Sequence, residues 1–305
     1  MTTALLVALI APALWAASNH FDKYIVGKYF KSTGVGAMMI FSALIGVLVL
    51  PVAGFLQQSA FSINPLTALL IALNGCLYLV ATLPYLKALK ISDASAAIPM
   101  FQVIPVISFV LAWVILGETL TGNQMAGGLL VVLGAIIISF EMQEGRKLKL
   151  RSDTLALMFL SSFIFALHFL FFKVFAVDTD FWTTVFWESV GFVAFAVFLL
   201  AFIKSYRRDF LAVFRKNGEI VISLNVFNEV INILGKLVFN YASLLIAITL
   251  AWIAVGFQPV FVLLYSVILA AFFPHISKEN VAGKHLVQKI IAIAVMLIGI
   301  SVISL

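Results

Sequence analysis

The sequence predicts an all-α integral membrane protein, with ten transmembrane helices arranged as two inverted five-helix repeats. Three observations carry this. Hydrophobic residues make up 64 % of the 305 and charged residues only 10 %, whereas soluble domains carry roughly a quarter charged; mean hydropathy is +1.17. The apolar content is broken into stretches of about 20 residues, the length a helix needs to cross ~30 Å of hydrocarbon. Finally, the basic residues collect in alternate connections between those stretches. Ten spans leave only short connections, which excludes catalysis in an appended soluble module. The single cysteine, Cys76, excludes a disulfide framework within one chain.

The spans are expected at residues 4–22, 34–56, 66–87, 94–116, 122–140, 154–176, 181–203, 220–241, 246–272 and 286–304. Met1 to Ser18 ends in Trp15-Ala16-Ala17-Ser18 and resembles a signal peptide, but it lacks a positive n-region. It is read as a retained first helix. The fourth and ninth spans contain Pro105 and Pro259, which remove a backbone donor and are expected to kink them. The aromatic run Phe159 to Phe175 of the sixth is barrel-like in composition, but strands of a barrel alternate apolar and polar residues, and a continuous apolar run favours a helix. The domain reading is a first repeat over 1–140, a basic linker over 141–153 and a second repeat over 154–305.

All basic residues but Lys173 and Lys236 lie in or beside the connections after the first, third, fifth, seventh and ninth spans. By the positive-inside rule that face is cytoplasmic and both termini lie outside a multi-pass cell-membrane protein. Net charge of +6 is thus a topology signal and not a nucleic-acid footprint. A repeat supports the inversion. Trp15-Ala16-Ala17-Ser18 through Lys23 aligns with Phe165-Ala166-Leu167-His168 through Lys173, and Asn74 with Asn225. Gln102 through Val106 resembles Phe257 through Val260, and Leu133-Gly134 resembles Leu297-Ile298-Gly299. An odd number of helices per repeat forces the halves to point oppositely, as in secondary transporters whose substrate sites lie at the interface between halves.

Ser95-Ala96-Ala97 with Pro99 and Pro105, then Leu116-Gly117-Glu118-Thr119-Leu120-Thr121, then Gln124 through Gly127-Gly128 and Gly134, resembles the end of an EamA repeat of the drug/metabolite transporter superfamily. The second copy departs from the pattern, with Ala270-Ala271-Phe272-Phe273-Pro274 where Leu-Gly-Glu is expected. The resemblance implies a central cavity and movement of small organic molecules by alternating access.

Only Glu188, Glu229 and Lys236 are charged residues well inside the spans, where an ionisable group costs a few kcal/mol and usually faces a cavity or a partner. On the eighth span Asn225, Asn228, Glu229, Asn232, Lys236 and Asn240 share one stripe at helical spacing. The stripe is expected to bind substrate, with Glu229 taking a proton or a substrate ammonium and Lys236 a carboxylate; the alternative is hydrogen-bonded glue between helices. In the first half Asn74 and Tyr78 fall at matching positions, Tyr85 matches Lys236, and Trp15, Gln102 and Gln258 are further candidate substrate contacts. His168 is a candidate proton relay beside Glu229. Glu188 and Lys236, roughly 10 Å and 8 Å below the outer surface, are a candidate gating ion pair. Asp22 reads as an interfacial anchor, and Glu118 as a bond to nearby helix ends on the outer side.

The leading function is a secondary transporter of a small polar or zwitterionic, amino-acid-like metabolite, possible proton coupling running through Glu229. No cofactor is expected and no metal site is visible; the partners are the metabolite and the bilayer, with no nucleic acid. An integral-membrane lipid-modifying enzyme is the alternative, against which stand the lack of a His-Glu-x-x-His motif and of paired acidic clusters. An ungated channel fits poorly with an asymmetric apolar pore.

Overall fold

The computed structural model describes residues 2–29, 35–91, 98–141, 152–272 and 284–305. Everything described is helix, turn or short connection, with no strand among the described residues. In hydrocarbon every backbone N–H and C=O must find a partner within the chain, and a helix supplies all of them locally. Seven helical segments are long and apolar enough to span a bilayer, and three shorter apolar ones, Met100–Leu116, Gly122–Ile137 and Ile290–Ile303, lie between and after them. The outer surface is apolar too, with Phe55, Val114, Leu129, Phe202 and Leu297 all exposed, as a lipid-facing surface requires.

The helices are α1 (Thr2–Tyr29), α2 (Val35–Leu44), α3 (Gly46–Leu56), α4 (Pro65–Ile91), α5 (Ile104–Leu116), α6 (Gly122–Glu141), α7 (Ser152–Asp178), α8 (Phe181–Phe202), α9 (Lys204–Leu245), α10 (Ile248–Val255), α11 (Gln258–Phe272) and α12 (Lys284–Ile303), with 3-10 turns at Gln58–Ser62 and Ile98–Val103. The proposed linker residues 142–151, the motif residues Ser95-Ala96-Ala97, the basic residues Lys31 and Lys278, and Phe273-Pro274 lie outside the described residues.

Several expectations are corrected. The second span breaks at Ile45 into α2 and α3, beside Gly46, where a Cβ would lie 2.8 Å from the Ser189 carbonyl oxygen of α8; Pro51 lies within α3 without interrupting it. The fourth and ninth spans are interrupted immediately before their prolines instead of being kinked within one continuous helix. Pro105 sits in the first turn of α5, after the 3-10 turn, and Pro259 is the second residue of α11, after a turn at Gly256-Phe257. Proline is tolerated in a first turn because its missing donor would be unpaired there anyway. The largest departure is α9. The basic stretch Lys204 to Lys216, expected as a connection, is helical and continuous with the eighth span, giving 42 residues with no interruption. No proline falls within it, and Ile203 alone separates it from α8.

Most packing runs between α1–α6 and α7–α12. α6 lies on α12, α1 on α9 and α11, α4 on α7 and α8, α3 on α8, α2 on α9, and α5 on α7 and α10. Glycine lets backbones touch at the tightest of these crossings. A Cβ added at Gly127 would lie 2.4 Å from the Gly299 carbonyl oxygen, and one at Gly299 would lie 2.7 Å from that of Gly127. One at Gly191 would lie 1.9 Å from the Ala72 carbonyl oxygen, and one at Gly75 would lie 2.2 Å from that of Glu188. The two glycines of the α4–α8 crossing thus fix the depth of Glu188.

Gly127→Ala is expected to force α6 and α12 apart and lower stability by about 1–3 kcal/mol, the ordinary cost of overpacking. Gly122→Ala, with nothing within 4 Å of the added methyl, is the control. Thermal unfolding of the two variants in detergent compares them, and equal midpoints would show that the crossing tolerates a methyl group.

Candidate functional site

α9 carries two polar clusters at different depths. The first joins four helices. Lys236 forms a buried salt bridge with Glu188 of α8. The other Glu188 oxygen accepts a hydrogen bond from Asn74 Nδ2 of α4 at 2.8 Å. Asn74 Nδ2 also donates to the His168 carbonyl of α7 at 3.2 Å, while His168 Nδ1 lies 3.0 Å from the Asn74 carbonyl and 3.7 Å from Glu188. The rings of Phe192, Tyr78 and Phe172 surround the ammonium at 5.0, 5.3 and 5.7 Å, where an aromatic face attracts a cation. All four polar residues are buried. An aromatic cage of this kind leaves the charges no solvent, so each depends on the other for its stabilisation.

The second cluster lies about two turns back along α9, toward the end of the molecule that carries the basic segment. Glu229 accepts from the Ser42 hydroxyl of α2 and, at a long 3.5 Å, from Asn232 Nδ2. Asn228 Nδ2 donates to Asp22 Oδ1 of α1 at 2.7 Å and its amide oxygen accepts from Ser18 Oγ at 2.7 Å. Trp15 Nε1 donates to the Asn232 carbonyl at 3.2 Å, and Gly235 makes room for the indole, since a Cβ there would lie 2.7 Å from Nε1. Trp15, Asp22, Ser42, Tyr78, Glu229 and Asn232 are half-buried, in contrast to the sealed first cluster. The described donors to the two carboxylates are neutral hydroxyl and amide groups.

The structure therefore splits the sequence-derived stripe. Glu188, Lys236, Asn74 and His168 come together in one knot with Tyr78 against it. Glu229, Asn228, Asn232 and Trp15 come together in the other. Asn225 turns back to the Val221 carbonyl of its own helix at 2.7 Å. Asn240 is buried, and its amide makes no hydrogen bond. Gln102 and Gln258 belong to the breaks in the fourth and ninth spans, both half-buried. The two breaks face each other, with Gln102 Oε1 3.6 Å from where a Cβ on Gly256 would be. Two residues were passed over. Asp22, read as an interfacial anchor, instead bonds Asn228 within the second cluster, and Ser42 reaches Glu229. The signal for Asp22 was available, since Trp15, Ser18 and Asp22 recur at helical spacing on α1. For Ser42 a lone hydroxyl in an apolar run offered none.

Two contacts near chain reversals hold the far end. Glu118 pairs with Lys173 and accepts from the Ile248 N–H at 3.0 Å, while Lys173 also donates to the Ile246 carbonyl at 3.0 Å. Gly117 before it takes the left-handed conformation at φ 65° that ends α5. Asp180 caps α8, accepting from the Thr183 N–H at 2.8 Å and from its hydroxyl. Partial burial pushes the Asp180 carboxyl up, and these donors outweigh it, holding the group below its ordinary value.

Residues 2–140 match the EamA-like transporter family. A curated protein of Salmonella typhimurium described as a probable amino-acid metabolite efflux pump is 29 % identical over 149 residues, which cover 46 % of this chain and 50 % of that protein. The chain thus spans about half the length of that relative. A solved structure titled only as the crystal structure of a protein superposes with a TM-score of 0.59 at 16 % identity, covering 99 % of this chain and 97 % of its own. At that identity the likeness is one of fold.

Glu188→Ala or Lys236→Ala alone strands a buried charge and is expected to cost about 3–5 kcal/mol. Removing both is expected to cost less than the two added. Unfolding of the two single variants and the double one gives the cycle, and additive losses would show that the two charges are not coupled.

Proposed function

We propose that the chain, whose residues 2–140 belong to the EamA-like transporter family, is a secondary transporter that exports a small amino-acid-like metabolite across the cell membrane by alternating access. Both termini lie on the outer side, and the basic connections face the cytoplasm. The observation that carries the reading is the cluster of half-buried Asp22, Ser42, Glu229 and Asn232 about the buried Asn228, walled by Trp15 and Tyr78 and set between the first and last five spans. The efflux relative supports the direction and cargo class.

The packing pattern supports two inverted repeats. Exchanging each span of the first half for its counterpart in the second turns α1 on α9 into α7 on α4, and α1 on α11 into α7 on α5; both members of each pair exist. Single contacts behave alike. A rotation carrying Gly127 to Ala292 and Gly134 to Gly299 turns the Gly127–Gly299 approach into one between Ala292 and Gly134. A Cβ on Gly134 would indeed lie 2.9 Å from the Ala292 carbonyl oxygen. The facing breaks at Gln102 and Gly256 lie on the same axis in this scheme, as interrupted helices do in transporters built this way.

In the mechanism proposed, the substrate ammonium sits against Glu229 and Asp22, and the asparagine amides turn to donate to its carboxylate. The Glu188–Lys236 knot and the Glu118–Lys173 pair close the outer side, and export requires both to open. Tyr85 stands where Lys236 would on the opposite side, so the inner closure is aromatic and opens without separating charges. Export is an exchange of substrate for protons. The substrate ammonium leaves Glu229 to the outside, and a proton entering from outside by way of His168 in the outer gate takes its place on the Glu229 carboxylate. That proton is released inside before the next substrate binds.

In proteoliposomes, Glu229→Gln is expected to abolish pH-driven flux of a labelled amino acid that the wild type moves, while the variant still elutes as a folded protein. Unchanged flux would remove Glu229 from the mechanism. A thermal-shift screen of amino acids and their metabolites against the wild type identifies the label, because a ligand that prefers the folded state raises the midpoint.

A further inference from the structure

Residues 204–217 of α9 precede its membrane-spanning window, Gly218–Leu245. They do not lie idle. Lys204, Arg207, Arg208, Leu211, Ala212 and Arg215 recur at helical spacing on one face, and together they line a concavity of about 320 Å³. The groove is shallow and more open than enclosed, so a ligand there stays in contact with what surrounds the helix.

The opposite face of the same segment is fixed to the protein. The Tyr206 ring covers Gly36 of α2 so closely that a Cβ there would meet it at 2.0 Å. Phe210 packs on Phe41 with ring centroids 4.8 Å apart, and Val213 is buried with Ile25, Ala37 and Val221. The cationic face is therefore held outward by packing behind it. Arg207 also bonds the Leu200 carbonyl at the end of α8, at 3.3 Å. The acid in this turn is Asp209, 3.8 Å from Arg208 Nε, so the face retains a large excess of positive charge.

Beside these cations stand exposed aromatic rings. Phe202, two residues before Lys204, is 74 % exposed and stacks at 5.4 Å on Phe198, itself exposed; Leu211 and Phe214 are exposed as well. Cations bordering lipid-facing rings where the span Phe181–Phe202 ends match a ligand with an anionic head and an apolar tail. A soluble anion would gain nothing from the rings.

We propose that this face binds an anionic phospholipid. The guanidinium groups of Arg207, Arg208 and Arg215 and the Lys204 ammonium hold its phosphodiester, and its acyl chains lie along Phe198 and Phe202. Guanidinium groups suit the task because their planar forks match phosphate oxygens. The site is independent of cargo and requires only that the chain sit in a bilayer.

The test uses full-length protein stripped of lipid in neutral detergent. Phosphatidylglycerol added as mixed micelles is expected to raise the unfolding midpoint by several degrees over phosphatidylcholine at the same concentration. Native mass spectrometry is expected to show it retained through detergent washing. Replacing Lys204, Arg208 and Arg215 together by Gln is expected to weaken retention roughly a hundredfold, as losing three cations near an anionic headgroup would, while leaving the phosphatidylcholine midpoint in place. Arg208→Glu alone, at a side chain 81 % exposed, is the second variant should the triple one fold poorly, and it is expected to lower retention in the same direction. Equal effects of the two lipids, or retention unchanged in both variants, would overturn the proposal. So would inorganic phosphate reproducing the full shift, which would mark a site for a soluble anion.

Discussion

An ion pair sealed in hydrocarbon constrains everything around it. Removing a carboxylate and an ammonium from water costs several kcal/mol each, and their attraction repays it only when the remaining hydrogen-bonding capacity is also met. Here Asn74 satisfies the second oxygen of Glu188, and three rings enclose Lys236. Those partners come from α4, α7 and α8 as well as α9, so the depth of four helices is coupled to one contact. The glycines at 75 and 191 serve the same end, because backbone contact at the α4–α8 crossing is what brings Glu188 within reach.

The two clusters on α9 differ in kind. The knot around Glu188 balances charge with charge and excludes water. The group around Glu229 sets two carboxylates among neutral donors and leaves them half-buried. A balanced site tends to stay shut, while an unbalanced one has something to gain from a cation. Both lie on one continuous helix, so a displacement of α9 at one is carried to the other through a shared backbone.

Much of this was legible beforehand. Apolar runs of membrane length gave the helical class directly, since hydrocarbon leaves a backbone few choices. The spacing of Asn228, Glu229, Asn232 and Lys236 placed them on one face, and the depths of Glu188 and Lys236 brought that pair within range. What escaped was set by tertiary context. Lys204 to Arg215 read as a connection because charge suggested solvent, yet Tyr206, Phe210 and Val213 at helical spacing had a protein surface to pack against. Pro105 and Pro259 read as kinks because sequence alone does not say whether a proline falls within a helix or in its first turn. Asp22 read as an anchor because its bond to Asn228 spans 206 positions.

An unbroken α9 has a mechanical consequence. Forty-two residues at 1.5 Å each make a rod of about 60 Å, roughly twice the thickness of the hydrocarbon it crosses. With no proline to flex at, any tilt of its membrane portion must swing the part that projects beyond, like the short arm of a lever. Because Tyr206 and Phe210 tie that arm to α2, a tilt of α9 is either resisted by the second helix or carried into it.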